Sequence, residues 1–156
     1  MTTTHSTARA RNPILPATAF VPDGEPHVFE YHGEKRVFVY GSRDELVTGY
    51  CGYGHDAWSA PVDDLSEWTN HGEIFHVKQV WDIGFGKVPG QVFGAPDCVY
   101  HPGTEKYHLY TFLGTEYAMD GVQGPLPGSE NFVPGFEDLG PKCVMAVSDS
   151  PAGPFS

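Results

Sequence analysis

Two stretches decide the fold: Pro26-His-Val-Phe-Glu-Tyr-His-Gly33 and Pro96-Asp-Cys-Val-Tyr-His-Pro-Gly103. In each, a glycine follows the proline by seven positions, and a tyrosine, Tyr40 or Tyr110, follows it by fourteen. Read as copies of one unit, they put Val37-Phe-Val-Tyr40 and Tyr107-His-Leu-Tyr110 in the same register. Further on, Trp58-Ser-Ala-Pro61 resembles Val147-Ser-Asp-Ser-Pro151. The first unit continues into a fourth run, Gly72–Val77, and the second reaches Ser156 before any fourth run. A recurring unit of four antiparallel strands is a propeller blade. The expectation is an all-β chain holding about one and three-quarter blades of a ring that closes with about four to eight. Two sheets without the rest of the ring leave edges and apolar faces bare, so the piece alone is expected to be marginal in water. A small, complete β-sandwich with similar hairpins is the alternative.

The rest of the sequence agrees with a turn-rich β-protein. Of 156 residues, 19 are Gly and 14 are Pro, about a fifth of the chain and well above average usage. Aromatic (13%) and hydrophobic (40%) residues suffice for a packed core. Runs rich in Val, Phe, Tyr or Trp predict strands at His27–Tyr31, Arg36–Gly41, Ala57–Val62, Glu73–Val77, Asp97–Tyr100, Tyr107–Leu113 and Cys143–Ser148. No long apolar period of 3.6 is present, and Asp63–Trp68 is read as at most one helical turn. Residues 1–11 are polar and read as a disordered tail, with a partial propeller domain over 12–156. Its first blade is expected over about 23–78 and its second, incomplete, over about 95–156. Gly114–Pro141, with six glycines and four prolines, reads as a long insertion without strand pattern.

Charge and cysteines narrow the function classes. The net charge of −11 opposes binding to nucleic acid and to anionic membranes, so neither is expected as a partner. Three widely spaced cysteines, Cys51, Cys98 and Cys143, make no disulfide framework. With no leader-like apolar run at the start, the expectation is a cytoplasmic protein with free thiols. Cys51 with His55, or His27 with His32, lacks a second pair at zinc spacing, so neither a metal nor any other cofactor is expected.

The chemistry-bearing candidates are acids. Asp23 lies in Pro22-Asp-Gly-Glu-Pro26 before the first inner strand, and Asp97 ends Ala95-Pro-Asp97 at the start of its counterpart. Inner strands of a propeller line its axis, so acids at their starts share a pocket, the arrangement glycoside hydrolysis needs. Asp beside Pro or Gly is equally a turn residue that satisfies backbone N–H groups, and spacing alone favours that reading.

The sequence also resembles glycoside hydrolase family 43. The resemblance rests on Asn12-Pro-Ile-Leu-Pro16, Asp23 four residues before His27-Val-Phe29, Val39-Tyr-Gly-Ser-Arg-Asp44 and Asp64-Leu-Ser-Glu-Trp-Thr-Asn-His-Gly72. Ala95-Pro-Asp97 and Ser148-Asp-Ser-Pro-Ala-Gly-Pro-Phe155 complete it, in that order from about residue 12 onward. It implies the N-terminal portion of a five-bladed β-propeller that hydrolyses arabinose- or xylose-containing glycans. It further implies Asp23 as general base and Asp97 as the residue that orients the acid and tunes its pKa. The general acid, a third-blade glutamate, is expected beyond Ser156.

Two departures from the family pattern are visible. The usual Asp-Pro is here Asp23-Gly-Glu-Pro26, which makes Glu25 a rival for the base. The Trp often found before Ala-Pro-Asp is here Gly94, so sugar contacts are sought at His27, Trp81 and Phe93, although the two aromatics read more readily as core residues or loop anchors. His27 and His101 are placed near the expected pocket. The rival from another class is a non-catalytic carbohydrate-binding β-domain, and a closer one is a related propeller glycosidase acting on fructosides or other pentosides.

Overall fold

The computed structural model describes residues 14–19, 21–44, 51–83, 91–115 and 142–156. Among the described residues there are seven strands: β1 Glu25–Tyr31, β2 Glu34–Ser42, β3 Gly54–Pro61, β4 Thr69–His76, β5 Gln91–His101, β6 Lys106–Thr115 and β7 Lys142–Ser148. A 3₁₀ segment, Val77–Ile83, follows β4, and no α-helix occurs among the described residues. The first sheet has the order β1-β2-β3-β4 and the second β5-β6-β7. Every pairing is antiparallel between chain neighbours. The chain is therefore all-β, with one four-stranded and one three-stranded propeller sheet among the described residues. The predicted insertion over Gly114–Pro141 and the tail over 1–11 fall almost wholly outside the described residues.

Local chemistry explains the strand ends. Tyr31 pairs with Glu34, so His32 and Gly33 form a two-residue hairpin turn, with φ of 52° and 78°. Positive φ at both positions gives a turn whose twist matches that of the strands. In the second hairpin His101 pairs with Lys106, and the turn spans Pro102–Glu105. It is thus two residues longer, and the expected common register fails. Tyr40 stands opposite Glu25, whereas Tyr110 stands opposite Asp97. Tyr40 is fully buried, while Tyr110 is 38% exposed on the other face of its sheet. Asp63–Trp68 is not helical: Asp64 N–H donates to Pro61 O, and Asp64 Oδ1 accepts from Ser66 N–H at 3.0 Å, closing an aspartate-capped turn.

One core joins both sheets. Phe38, Tyr40, Ala57 and Phe75 of the first meet Phe93, Cys98, Leu109, Val144 and Ala146 of the second. The buried Tyr40 hydroxyl donates to Pro151 O at 2.6 Å, so the ring is buried without orphaning its polar atom. Residues 155 and 156 return between the sheets. Phe155 N–H donates to Ile74 O, and Ser156 and Val147 exchange both backbone hydrogen bonds. Phe155, 1% exposed, thereby pins the edges of β4 and β7 together. Full burial of one such aromatic stabilises by about 1.5–3 kcal/mol.

Candidate active site

Asp23 sits in the turn entering β1, exposed, with φ of +58°. Aspartate tolerates this left-handed conformation better than most residues. Ser42 N–H donates to Pro22 O at 3.2 Å, which ties the turn to the end of β2. The Asp23 charge also raises the pKa of both Asp44 and Cys51, behind larger effects of burial. Asp44 and Cys51 therefore lie within electrostatic reach of Asp23. Glu25, the rival base, is the first residue of β1 and is exposed.

Asp97 does not begin its strand. β5 starts six residues earlier, at Gln91, because Gln91–Gly94 are buried by tertiary packing that their composition does not announce. Gly94 pairs with Phe112 and Asp97 with Tyr110, so Ala95 and Pro96 together oppose Thr111 in a β-bulge. Ala95 there has φ of 44°. The bulge is held by a buried polar chain. Ala95 N–H donates to Ser42 Oγ at 3.1 Å, and Thr111 Oγ donates to Gly94 O at 2.8 Å. His55 Nε2 lies 2.7 Å from Thr111 Oγ, whose own proton is committed, so the imidazole donates. Bulges re-aim side chains, and this one turns the Asp97 carboxylate outward, 46% exposed. Its Oδ1 accepts from His27 Nε2 at 2.6 Å and from Cys98 N–H at 2.8 Å.

The two aspartates therefore occupy inequivalent places, Asp23 in a turn ahead of the ladder and Asp97 inside one. They are linked through neighbours. His27, four residues after Asp23, binds Asp97, and Cys51, which feels Asp23, lies against Gly94. A cleft of about 470 Å³ lies on the far face of the first sheet, among Val21, Arg43, Asp44, Asp56, Trp58 and Asn70. Neither Asp23 nor Asp97 lines it. Arg43 there reaches Glu73 at 3.1 Å.

Other candidates are placed differently from expectation. Phe93 is fully buried, stacked between His55 and Phe75 with centroids 5.4 and 4.9 Å away, so it offers no face to a sugar. Trp81 is a half-buried anchor on the 3₁₀ segment, with its Nε1 donating to Gln91 Oε1 at 2.7 Å. His101 stands at the hairpin turn, where Thr104 N–H donates to its Nδ1 and its ring stacks on His108. Gly94 explains the missing tryptophan. A Cβ there would come within 2.5 Å of the Phe112 ring and 2.6 Å of Cys51 Sγ, so the volume is already filled. Burial raises the Cys98 thiol to about 12 and Cys51 to about 11. Both are protonated and inert at neutral pH. Among the described residues, no group of three or more His, Cys, Asp or Glu could hold a metal ion.

No family model matches the chain. A curated xylosidase/arabinosidase from Thermoclostridium stercorarium is 33% identical to it over 145 residues, 92% of this chain and 24% of that protein. The chain thus spans about a quarter of the length of the curated relative it matches. Among solved structures, a family 43 β-1,3-galactosidase with galactodeoxynojirimycin has a TM-score of 0.56 at 21% identity, covering 86% of this chain and 32% of that one. An exo-β-1,3-galactanase from Clostridium thermocellum has a TM-score of 0.53 at 15% identity, covering 88% and 23%. These structural likenesses speak for the fold. The resemblance to glycoside hydrolase family 43 that the motifs carry is thus met again in sequence similarity and in architecture.

Proposed function

We propose, from this resemblance to family 43 glycoside hydrolases, that the chain supplies two blades and two of three acids to a glycosidase that inverts anomeric configuration. The observation that carries the reading is the 33% identity to a xylosidase/arabinosidase over 145 residues. The substrate class is a terminal α-L-arabinofuranosyl or β-D-xylosyl group of an oligo- or polysaccharide. Asp23, exposed on its turn, deprotonates a water on one face of the anomeric carbon. A glutamate of a further blade protonates the leaving oxygen on the other face, the two carboxyls standing about 6.5–9.5 Å apart. Asp97 uses its negative charge to keep that glutamate protonated until it is needed. The net charge of −11 does not oppose a neutral sugar.

The test uses a protein comprising this chain and its remaining blades, assayed on aryl α-L-arabinofuranosides, β-D-xylosides and β-D-galactosides, with the product anomer read by proton NMR. Arabinoside or xyloside turnover with inversion is expected, and Asp23→Ala is expected to abolish it with the fold intact. Near-normal turnover in that variant moves the base to Glu25. Retention of configuration, or hydrolysis of galactosides alone, refutes the reading. The 156-residue chain by itself is expected to show no enzymatic turnover.

A further inference from the structure

We propose that His27 is a positioning residue for Asp97, a clamp from the first sheet that fixes the orientation of the second sheet's inner carboxylate. The inference rests on the reading of Asp97 given above. β1 and β5 belong to different sheets, so no backbone ladder sets the distance between them. The bond from His27 to Asp97 bridges 70 residues of sequence. An ionised carboxylate only accepts, so His27 Nε2 carries the proton and donates it. It ends on the same Oδ1 that accepts the Cys98 N–H. Two donors on one oxygen restrict rotation of the carboxylate and leave Oδ2 without a partner among the described residues. That oxygen is the one presented to a third group.

The clamp is itself held. The His27 ring stacks on Phe29 with centroids 5.8 Å apart and planes at 13°. Phe29 in turn meets Tyr107 of β6 edge-on at 5.1 Å. Rotating the imidazole away from Asp97 breaks its stacking on Phe29. The positioning is needed because Asp97 is nearly half exposed, and a solvent-facing aspartate otherwise samples several rotamers. With Nε2 committed to Asp97, a sugar hydroxyl has no access to that donor, so His27 acts through Asp97.

The experiment uses the enzyme comprising this chain and its remaining blades. His27→Phe keeps an aromatic ring on Phe29 and removes the donor. Its kcat is expected to fall about 10²-fold with KM little changed, since a misplaced catalytic group costs rate more than binding. His27→Gln, whose amide donates from nearly the same place, is expected to recover most of that loss. Asp97→Asn is measured beside them. If Asp97→Asn keeps full kcat, the reading of Asp97 falls and the clamp with it. If Asp97→Asn is impaired while His27→Phe keeps full kcat, the clamp alone is refuted. Equal loss in both His27 variants with a raised KM makes His27 a sugar contact and overturns the proposal. Independently of turnover, imidazole ¹⁵N NMR of that same enzyme is expected to find the His27 proton on Nε2, and a proton on Nδ1 alone contradicts the clamp.

Discussion

Lowering pH should destabilise this chain through His55. The imidazole is fully buried, stacked on Phe93, and donates to Thr111, whose proton continues to Gly94 O. Burial lowers its pKa from 6.5 to about 4, with the Gly41 carbonyl pulling weakly the other way. A depressed histidine contributes stability that is complete above the unfolded value of 6.5 and is lost as pH falls towards the folded value. In that window the unfolded chain binds a proton that the folded chain refuses. From 6.5 down to about 4, at 1.36 kcal/mol per pH unit, the loss comes to about 3 kcal/mol. That is a large part of the stability of a domain this size. The assay is urea unfolding of the chain and of His55→Gln at intervals between pH 4 and 8. The carboxylates titrate in both proteins, so the difference between the two curves isolates His55. It should be flat above pH 7 and move by about 3 kcal/mol in favour of the variant by pH 4. A difference that stays constant across the range refutes the reasoning, because it means His55 is either not desolvated or not neutral in the fold.

Two further outcomes follow from packing. Gly94→Ala puts a methyl against the Phe112 ring and Cys51 Sγ, so it should cost about 1–3 kcal/mol in urea unfolding; an unchanged midpoint means the bulge has room. Cys143 is exposed whereas Cys51 and Cys98 are buried, so a thiol reagent at pH 7.5 should label Cys143 rapidly and the other two only on unfolding, as read by mass spectrometry after peptide digestion.

Most of the strands are local information. His27–Tyr31, Arg36–Gly41 and Tyr107–Leu113 each combine β-branched or aromatic residues with flanking turn formers, and each lies inside an observed strand. The start of β5 was not legible that way. Gln91–Pro96 carries Gly, Ala and Pro, and it is strand because Gly52 exchanges backbone hydrogen bonds with Phe93 and because Ser42 holds Ala95. Equal spacing in the two hairpins misled for a simple reason. Residue counts do not distinguish a two-residue turn from a four-residue turn, nor do they say which face of each sheet meets the core, and Tyr40 lies on the core face whereas Tyr110 lies on the other. Phe93 and Trp81 looked available for a sugar because an aromatic side chain reads the same whether it faces a ligand or a core.

By itself the sequence determined the all-β class, the two-unit repeat, the acids worth considering and the resemblance to family 43, because alternation, turn chemistry and motif order are short-range properties of the chain. Only the tertiary structure decided that Asp97 sits on a bulge rather than at a strand start, that His27 holds it, and that Gly94 is filled by Phe112 and Cys51. Those facts depend on how two sheets pack against each other, with partners tens of residues apart, and no local pattern in the sequence encodes that juxtaposition.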